Sequence, residues 1–245
     1  MKKILGIIVV SGGFLMASSP QSSASMTIEN CQKPLRVELS KTQSMTNLVA
    51  REAEKSRLNF YLGRCAFLEK ATDLSVPFFE QGEKNAETAL ELKSDEPVAL
   101  FWWVANAGTL ADISRSIGAL RTVKIIAEKL ILISEKEPDY GFSGAYRVLG
   151  KIYEKAPRFI SIGSSTKAEQ YLKKAYERFP KFPGNIIALA EFYDSDDRID
   201  EAKKILMPLV ESQQIQEGDF GAFNVEKQEW LQLVNGLTKK WSDKK

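Results

Sequence analysis

Two cations four residues apart, Arg147 and Lys151, are the first pair in this sequence with a chemical consequence. On a helix they share one face, a like-charge arrangement that costs a few tenths of a kcal/mol unless an anion or acid relieves it. Arg147 suits a carboxylate, because its planar fork makes two charge-assisted hydrogen bonds at once. The competing reading pairs Arg147 with an acid of a neighbouring helix and leaves Lys151 solvated. A second set is aromatic: Phe101, Trp102 and Trp103 are consecutive, and at about 100° per residue they cannot share a face. Leu100, Trp103, Val104 and Ala107 form the best core stripe. Trp102 then points elsewhere, beside Asn106, to line an apolar cavity or a partner surface. A helix buried on several faces would instead make Trp102 plain core.

Catalytic sets are few. Histidine is absent, which excludes His-based triads, His-ligated zinc and imidazole acid–base chemistry. Ser164-Ser165-Thr166-Lys167 satisfies Ser-x-x-Lys, yet the companion elements of penicillin-recognising enzymes are missing, and the stretch reads as a helix start capped by Ser164 or Ser165. Asp194, Asp196 and Asp197 do not follow the ligand order of a calcium loop. Glu135 and Glu137 are spaced as solvated acids are, with nothing to mark a glycosidase pair. No catalytic residue, metal or cofactor is expected. The chain has 34 basic and 32 acidic residues in 245; its first 24 hold two lysines and no acid, so the remainder balances at 32 each. A nucleic-acid binder would need a basic face, and none is expected here.

Lys2 and Lys3 precede an apolar run from Ile4 to Met16, followed by Ser22-Ser23-Ala24. This is the pattern of a secretory signal peptide over residues 1–24, and the run falls short of the ~20 residues a spanning helix needs. A periplasmic location is expected. Cys31 follows Ile28-Glu29-Asn30 and lacks the small-apolar context of lipid attachment. In an oxidising compartment Cys31 and Cys65 form a disulfide worth roughly 3–4 kcal/mol by chain entropy; two buried thiols are the alternative.

The elements that position these residues read as all-α. Residues 25–41, with short alternation from Leu35 to Leu39, are expected to be extended. Helices are expected at 43–72, 76–93, 97–113, 116–136, 142–156, 165–178, 184–195, 199–212 and 224–241, forming a domain over 42–241 with a tail at 242–245. Prolines 97, 138, 157, 180 and 183 fall between them as punctuation. Short connections make neighbours antiparallel.

A repeat emerges from this order. Tyr146, Leu149, Gly150 and Tyr153 fit the first helix of a tetratricopeptide repeat, and Ala168, Leu172 and Ala175, closed by Pro180, fit the second. The next unit takes Ile186, Leu189, Ala190 and Tyr193, then Ala202, Leu206 and Leu209. The second-helix pattern recurs upstream at Ile126, Leu130 and Ile133 and faintly at Gly82, Ala86 and Ala89, giving four units. About six extra residues between Pro157 and Ser165 make the array irregular, and Pro208 is expected to kink or end its helix near Met207. Phe223, Val225, Trp230, Leu231, Val234 and Leu237 suit a C-terminal capping helix. The expected fold is therefore an irregular tetratricopeptide-like helical-hairpin solenoid.

A narrower resemblance covers about Leu62 to Val210. ALFWWVANAG, GAYRVLGKIYEKAP, IGSSTKAEQYLKKAYERFPKFPGN and ALAEFY resemble the T-component family of TRAP (tripartite ATP-independent periplasmic) transporters. Arg147 and Ala156-Pro157 give the likeness its specificity, since generic repeats do not require them. The resemblance implies a non-catalytic protein that binds a TRAP solute-binding subunit and holds or passes a small apolar or organic-acid ligand. It also places Arg147, Lys151 and Glu154 on the concave surface. Ser164 departs from the acid found there in many members, and many are lipoproteins. The remaining readings are a general periplasmic scaffold for an envelope complex, in which recruitment replaces transport, and a helical cell-wall hydrolase. Oligomeric state, including a homo-oligomer, is left open.

Overall fold

A computed structural model describes residues 27–114, 119–156 and 162–243, with side chains of 119–121 outside the description. The segment expected to be a signal peptide lies outside the described residues. The chain divides into two compact units, with the division between Ser114 and Arg115, and each is described by itself. Among the described residues every regular element is a helix, and no helix is long and apolar enough to cross a membrane.

The N-terminal unit contains α1 (Ile28–Lys41), α2 (Leu48–Leu68), α3 (Thr72–Leu92) and α4 (Pro97–Ser114). The expected extended segment is corrected to helix. Thr27 caps α1 by accepting the Asn30 N–H, and Cys31, Gln32 and Leu35 fall on one buried face. The Leu35–Leu39 alternation is too short to compete with that docked face. A 3-10 turn at Thr42–Ser44 then separates α1 from α2, which Asn47 caps through the Ala50 N–H. The helix expected from 43 therefore starts later. α3 begins at Thr72, so Pro77 sits inside it and not at its start.

α2, α3 and α4 pack mutually around Phe60, Tyr61, Phe79 and Trp102. A buried polar seam crosses this core. Asn85 donates to Glu52 at 2.8 Å and accepts from Asn59 at 3.3 Å. Gly63 and Gly82 permit the close approach, because a Cβ would meet the Phe79 ring at the first and the Asn106 amide at the second.

In the C-terminal unit, α5 (Ala119–Lys136) packs on α6 (Tyr140–Lys155), and two hairpins follow: α6 with α7 (Ser165–Arg178), and α8 (Pro183–Ser195) with α9 (Ile199–Glu211). Residues at equivalent repeat positions are equivalently buried: Leu149, Ala168, Leu172 and Ala175 in the first pair, Leu189, Ala190, Ala202, Leu206 and Leu209 in the second. Ser164 caps α7, and Pro183 occupies the first position of α8, where its missing N–H costs nothing. α9 continues through Pro208 to Glu211, so the expected stop near Met207 is corrected. The proline is close enough to the end that the helix forgoes one bond there and keeps its register.

A short α10 (Gln214–Glu217) and a 3-10 segment lead to α11 (Lys227–Ser242). α11 packs on α8 and α9 through Trp230, Val234, Leu237 and Trp241, while Gln228, Gln232, Asn235 and Lys239 face outward. An apolar inner face and a polar outer face are what ends a repeat array.

Candidate functional site

The backbone entering α6 is the most unusual among the described residues. Gly141, Phe142 and Ser143 have φ of 59°, 56° and 59°, three consecutive left-handed residues. For the two with side chains this costs about 1–2 kcal/mol each, so the surroundings must enforce it. They do so with hydrogen bonds. The Ser143 hydroxyl donates to the Pro138 carbonyl at 2.9 Å and its N–H to Asp139 at 3.2 Å. Arg147 Nη1 donates to the Phe142 carbonyl at 3.3 Å and to Asn185 Oδ1 at 2.7 Å, while Nη2 reaches the Gly141 carbonyl at 3.5 Å. Asn185 Nδ2 donates to the carbonyls of Phe142 at 3.1 Å and Ala175 at 2.9 Å. One amide thus joins the start of α6, the end of α7 and the start of α8.

Aromatic packing completes the arrangement. The Phe142 ring stacks on Phe182 at 4.3 Å, and the Arg147 guanidinium lies 5.1 Å from the Phe182 centroid. Phe142 is nevertheless 40% exposed.

One turn further along α6, Lys151 is buried and not solvated, which corrects the second half of the competing reading. Its Nζ lies 2.8 Å from Glu154 Oε2 and 3.4 Å from Glu191 Oε2 on α8. Glu154 Oε1 also meets Lys155 at 2.7 Å and receives the Ser195 hydroxyl at 3.4 Å. Burial favours the neutral form of Lys151, but the charges of Glu191 and Glu154 outweigh it and hold the ammonium above its ordinary range. Burial likewise pushes the Glu154 carboxyl up, yet Lys151 and Lys155 hold it below the usual glutamate value. The like-charge pair is therefore relieved from two sides: Arg147 by an amide and carbonyls, Lys151 by carboxylates.

Arg147, Lys151 and Glu154 are thus brought together along the seam between α6 and α8. That seam is filled. From Pro183 to Asp194 every residue of α8 except Glu191 is buried. At the far end, Asp194 accepts from Trp241 Nε1 at 2.8 Å and from Lys240 at 2.6 Å, latching α11.

Trp102 and Asn106 belong to the N-terminal unit. Trp102 is buried against Phe60, Tyr61 and Phe101, with ring centroids 5.2–5.5 Å apart. Asn106 donates to Trp102 O at 2.8 Å and to Ser56 Oγ at 3.2 Å. The expected stripe is corrected as well: Trp103 is only half-buried, its Nε1 reaching Glu87 at 3.4 Å. Cys31 and Cys65 form a disulfide, with Cα atoms 5.8 Å apart.

Sequence reasoning missed Asn185, Phe142, Phe182 and Glu191. The Phe182-Pro183-Gly184-Asn185 run signalled a helix start, but nothing local announced that its amide would serve the preceding hairpin. Among the described residues no cluster of three or more acids or cysteines could hold a metal.

Comparison with known proteins agrees with this architecture. Residues 163–216 match the tetratricopeptide repeat family, a span covering α7, α8, α9 and the start of α10. No curated protein matches the chain significantly. The packed helix pairs and the matched repeat define a tetratricopeptide-like helical scaffold, a class that works through protein–protein interaction and is typically non-catalytic.

Proposed function

We propose that this chain is an exported, non-catalytic accessory of a TRAP-type solute uptake system, a T-component-like protein that binds the solute-binding subunit. One observation carries the reading: Arg147, the residue that separates the resemblance from a generic repeat, is buried and braces the left-handed turn at Gly141, Phe142 and Ser143. The disulfide and the signal-like N-terminal pattern favour export to the periplasm. A small organic-acid ligand remains part of the proposal on one condition. To reach the Arg147 fork it must displace Asn185.

The test is affinity capture from envelope extracts with the full chain as bait, followed by native mass spectrometry of what is retained. Recovery of a TRAP solute-binding protein supports the proposal. Recovery of outer-membrane or cell-wall machinery without it replaces the proposal with that of a general envelope scaffold. Loss of peptidoglycan on incubation would favour a hydrolase and overturn both.

A further inference from the structure

The first helix is attached along one narrow face. Of fourteen residues in α1, three are buried: Cys31, Gln32 and Leu35. Val37 is 51% exposed. Helices of this length are marginal on their own in water, and Pro34, inside α1, removes one internal hydrogen bond. The helix packs chiefly on α2. Gln32 Nε2 donates to the Leu62 carbonyl at 2.8 Å, Arg57 pairs with the exposed Glu38 at 3.1 Å, and Arg36 lies 5.4 Å from the Phe78 ring centroid. An exposed ion pair contributes little. By contrast, α2, α3 and α4 hold one another through the Phe60, Phe79 and Trp102 rings and the Glu52–Asn85–Asn59 seam, none of which involves α1.

The disulfide joins the buried face of α1 to Cys65, 34 positions further along the chain on α2, and these are the chain's two cysteines. We propose that Cys31–Cys65 is a redox-set clamp: α1 is docked on α2 in the oxidised chain and detached in the dithiol chain, while α2–α4 keep their packing. In closing, the two thiols give up two protons and two electrons to a disulfide-bearing oxidant, which leaves as a dithiol. In opening, a dithiol reductant attacks the sulfur of Cys31, the more exposed residue at 8% against 2%, and expels the Cys65 thiolate. Its second thiol then displaces Cys31 and closes the reductant's own disulfide. Detachment bares the strip of α2 around Leu62 and Cys65. The clamp does not depend on which partner the scaffold serves.

Hydrogen exchange followed by mass spectrometry on the full chain tests this, comparing the oxidised protein, the protein treated with dithiothreitol, and Cys31→Ala. The variant carries the test if the buried bond resists the reductant. Closing a loop of this size shifts the docking equilibrium by on the order of a hundredfold or more. Amides of 28–41 should therefore exchange at least about a hundredfold faster in the dithiol chain and in Cys31→Ala, with α2–α4 core amides unchanged. Unchanged exchange in α1, cooperative loss of protection throughout α2–α4, or two free thiols in the untreated exported protein would each overturn the clamp.

Discussion

Gly150 lies where α6 crosses α7, and its replacement by alanine measures how close that crossing is. A Cβ there would stand 2.7 Å from Leu172 Cδ2 and 3.1 Å from the Leu172 backbone nitrogen, with Leu172 Cγ nearer still. Rotating Leu172 cannot relieve a contact with its own backbone, so the helices must separate. Overpacking of this kind costs about 1–3 kcal/mol. Alanine recovers about 0.5–1 kcal/mol through helix propensity, which leaves a net loss of up to about 2.5 kcal/mol, about 1 kcal/mol at the centre of the range. Gly236 in α11 is the control, because a Cβ there meets nothing within 4 Å. Gly236→Ala should gain the same ~0.5–1 kcal/mol with no offset. Urea denaturation followed by circular dichroism reads both, and at about 2–4 °C per kcal/mol the melting temperatures should move in opposite directions. A Gly150→Ala variant stabilised as much as Gly236→Ala would mean that α6 and α7 do not approach as the repeat requires.

Two further expectations concern the α6–α8 seam and the acids that sustain the hairpins. Asn185→Ala strips an acceptor from Arg147 and a donor from the Phe142 and Ala175 carbonyls, which keep the Arg147 guanidinium and the Phe179 N–H as partners; at about 0.5–1.5 kcal/mol for each hydrogen bond lost, a loss of at least about 1 kcal/mol should appear in the same urea assay, with a loss below about 0.5 kcal/mol, the range of surface substitutions, counting against the bracing role. Acid should destabilise the C-terminal unit: hydrogen bonds from Arg198 and Lys173 hold Glu169 down to about 2, and Lys151 holds Glu154 below the ordinary glutamate value of 4.5. Both folded values lie below the unfolded one, so this stability is complete above pH 4.5 and is lost as pH falls towards about 2. Lys151, raised in the folded state, contributes fully below its ordinary 10.5 and fails only at higher pH. Thermal melts from pH 2 to pH 7 check the acid limb, and a melting temperature flat from pH 5 to pH 2 would refute it.

Fold class and repeat phase were legible in the sequence because both rest on periodicity. Tyr146 through Leu209 carries small and large apolar residues at spacings that one helix face must satisfy, and Leu149, Leu172, Ala190 and Leu206 are buried accordingly. α1 was illegible for the opposite reason. Its few apolar residues fit two periods over so short a span, and the cap at Thr27 and the face docked on α2, neither visible in the alternation, accompany the helix. The site was legible in its members and not in their partners. Spacing picked out Arg147 and Lys151 as an unrelieved pair, but Asn185 and Glu191, 38 and 40 positions away, meet them only once the second hairpin is in place. Trp102 shows a related limit: in α4, apolar residues lie on every side, so angular arithmetic could not say which tryptophan the core would take.

The near-complete enclosure of α8 bears on how the C-terminal unit meets other molecules. A helix with so little free side leaves the corners as the outward part of this seam, where chain direction changes and Phe142 stands out over the Phe182 ring. Those corners are stiff, pinned by buried amide and guanidinium groups, so contact there demands little ordering of the host.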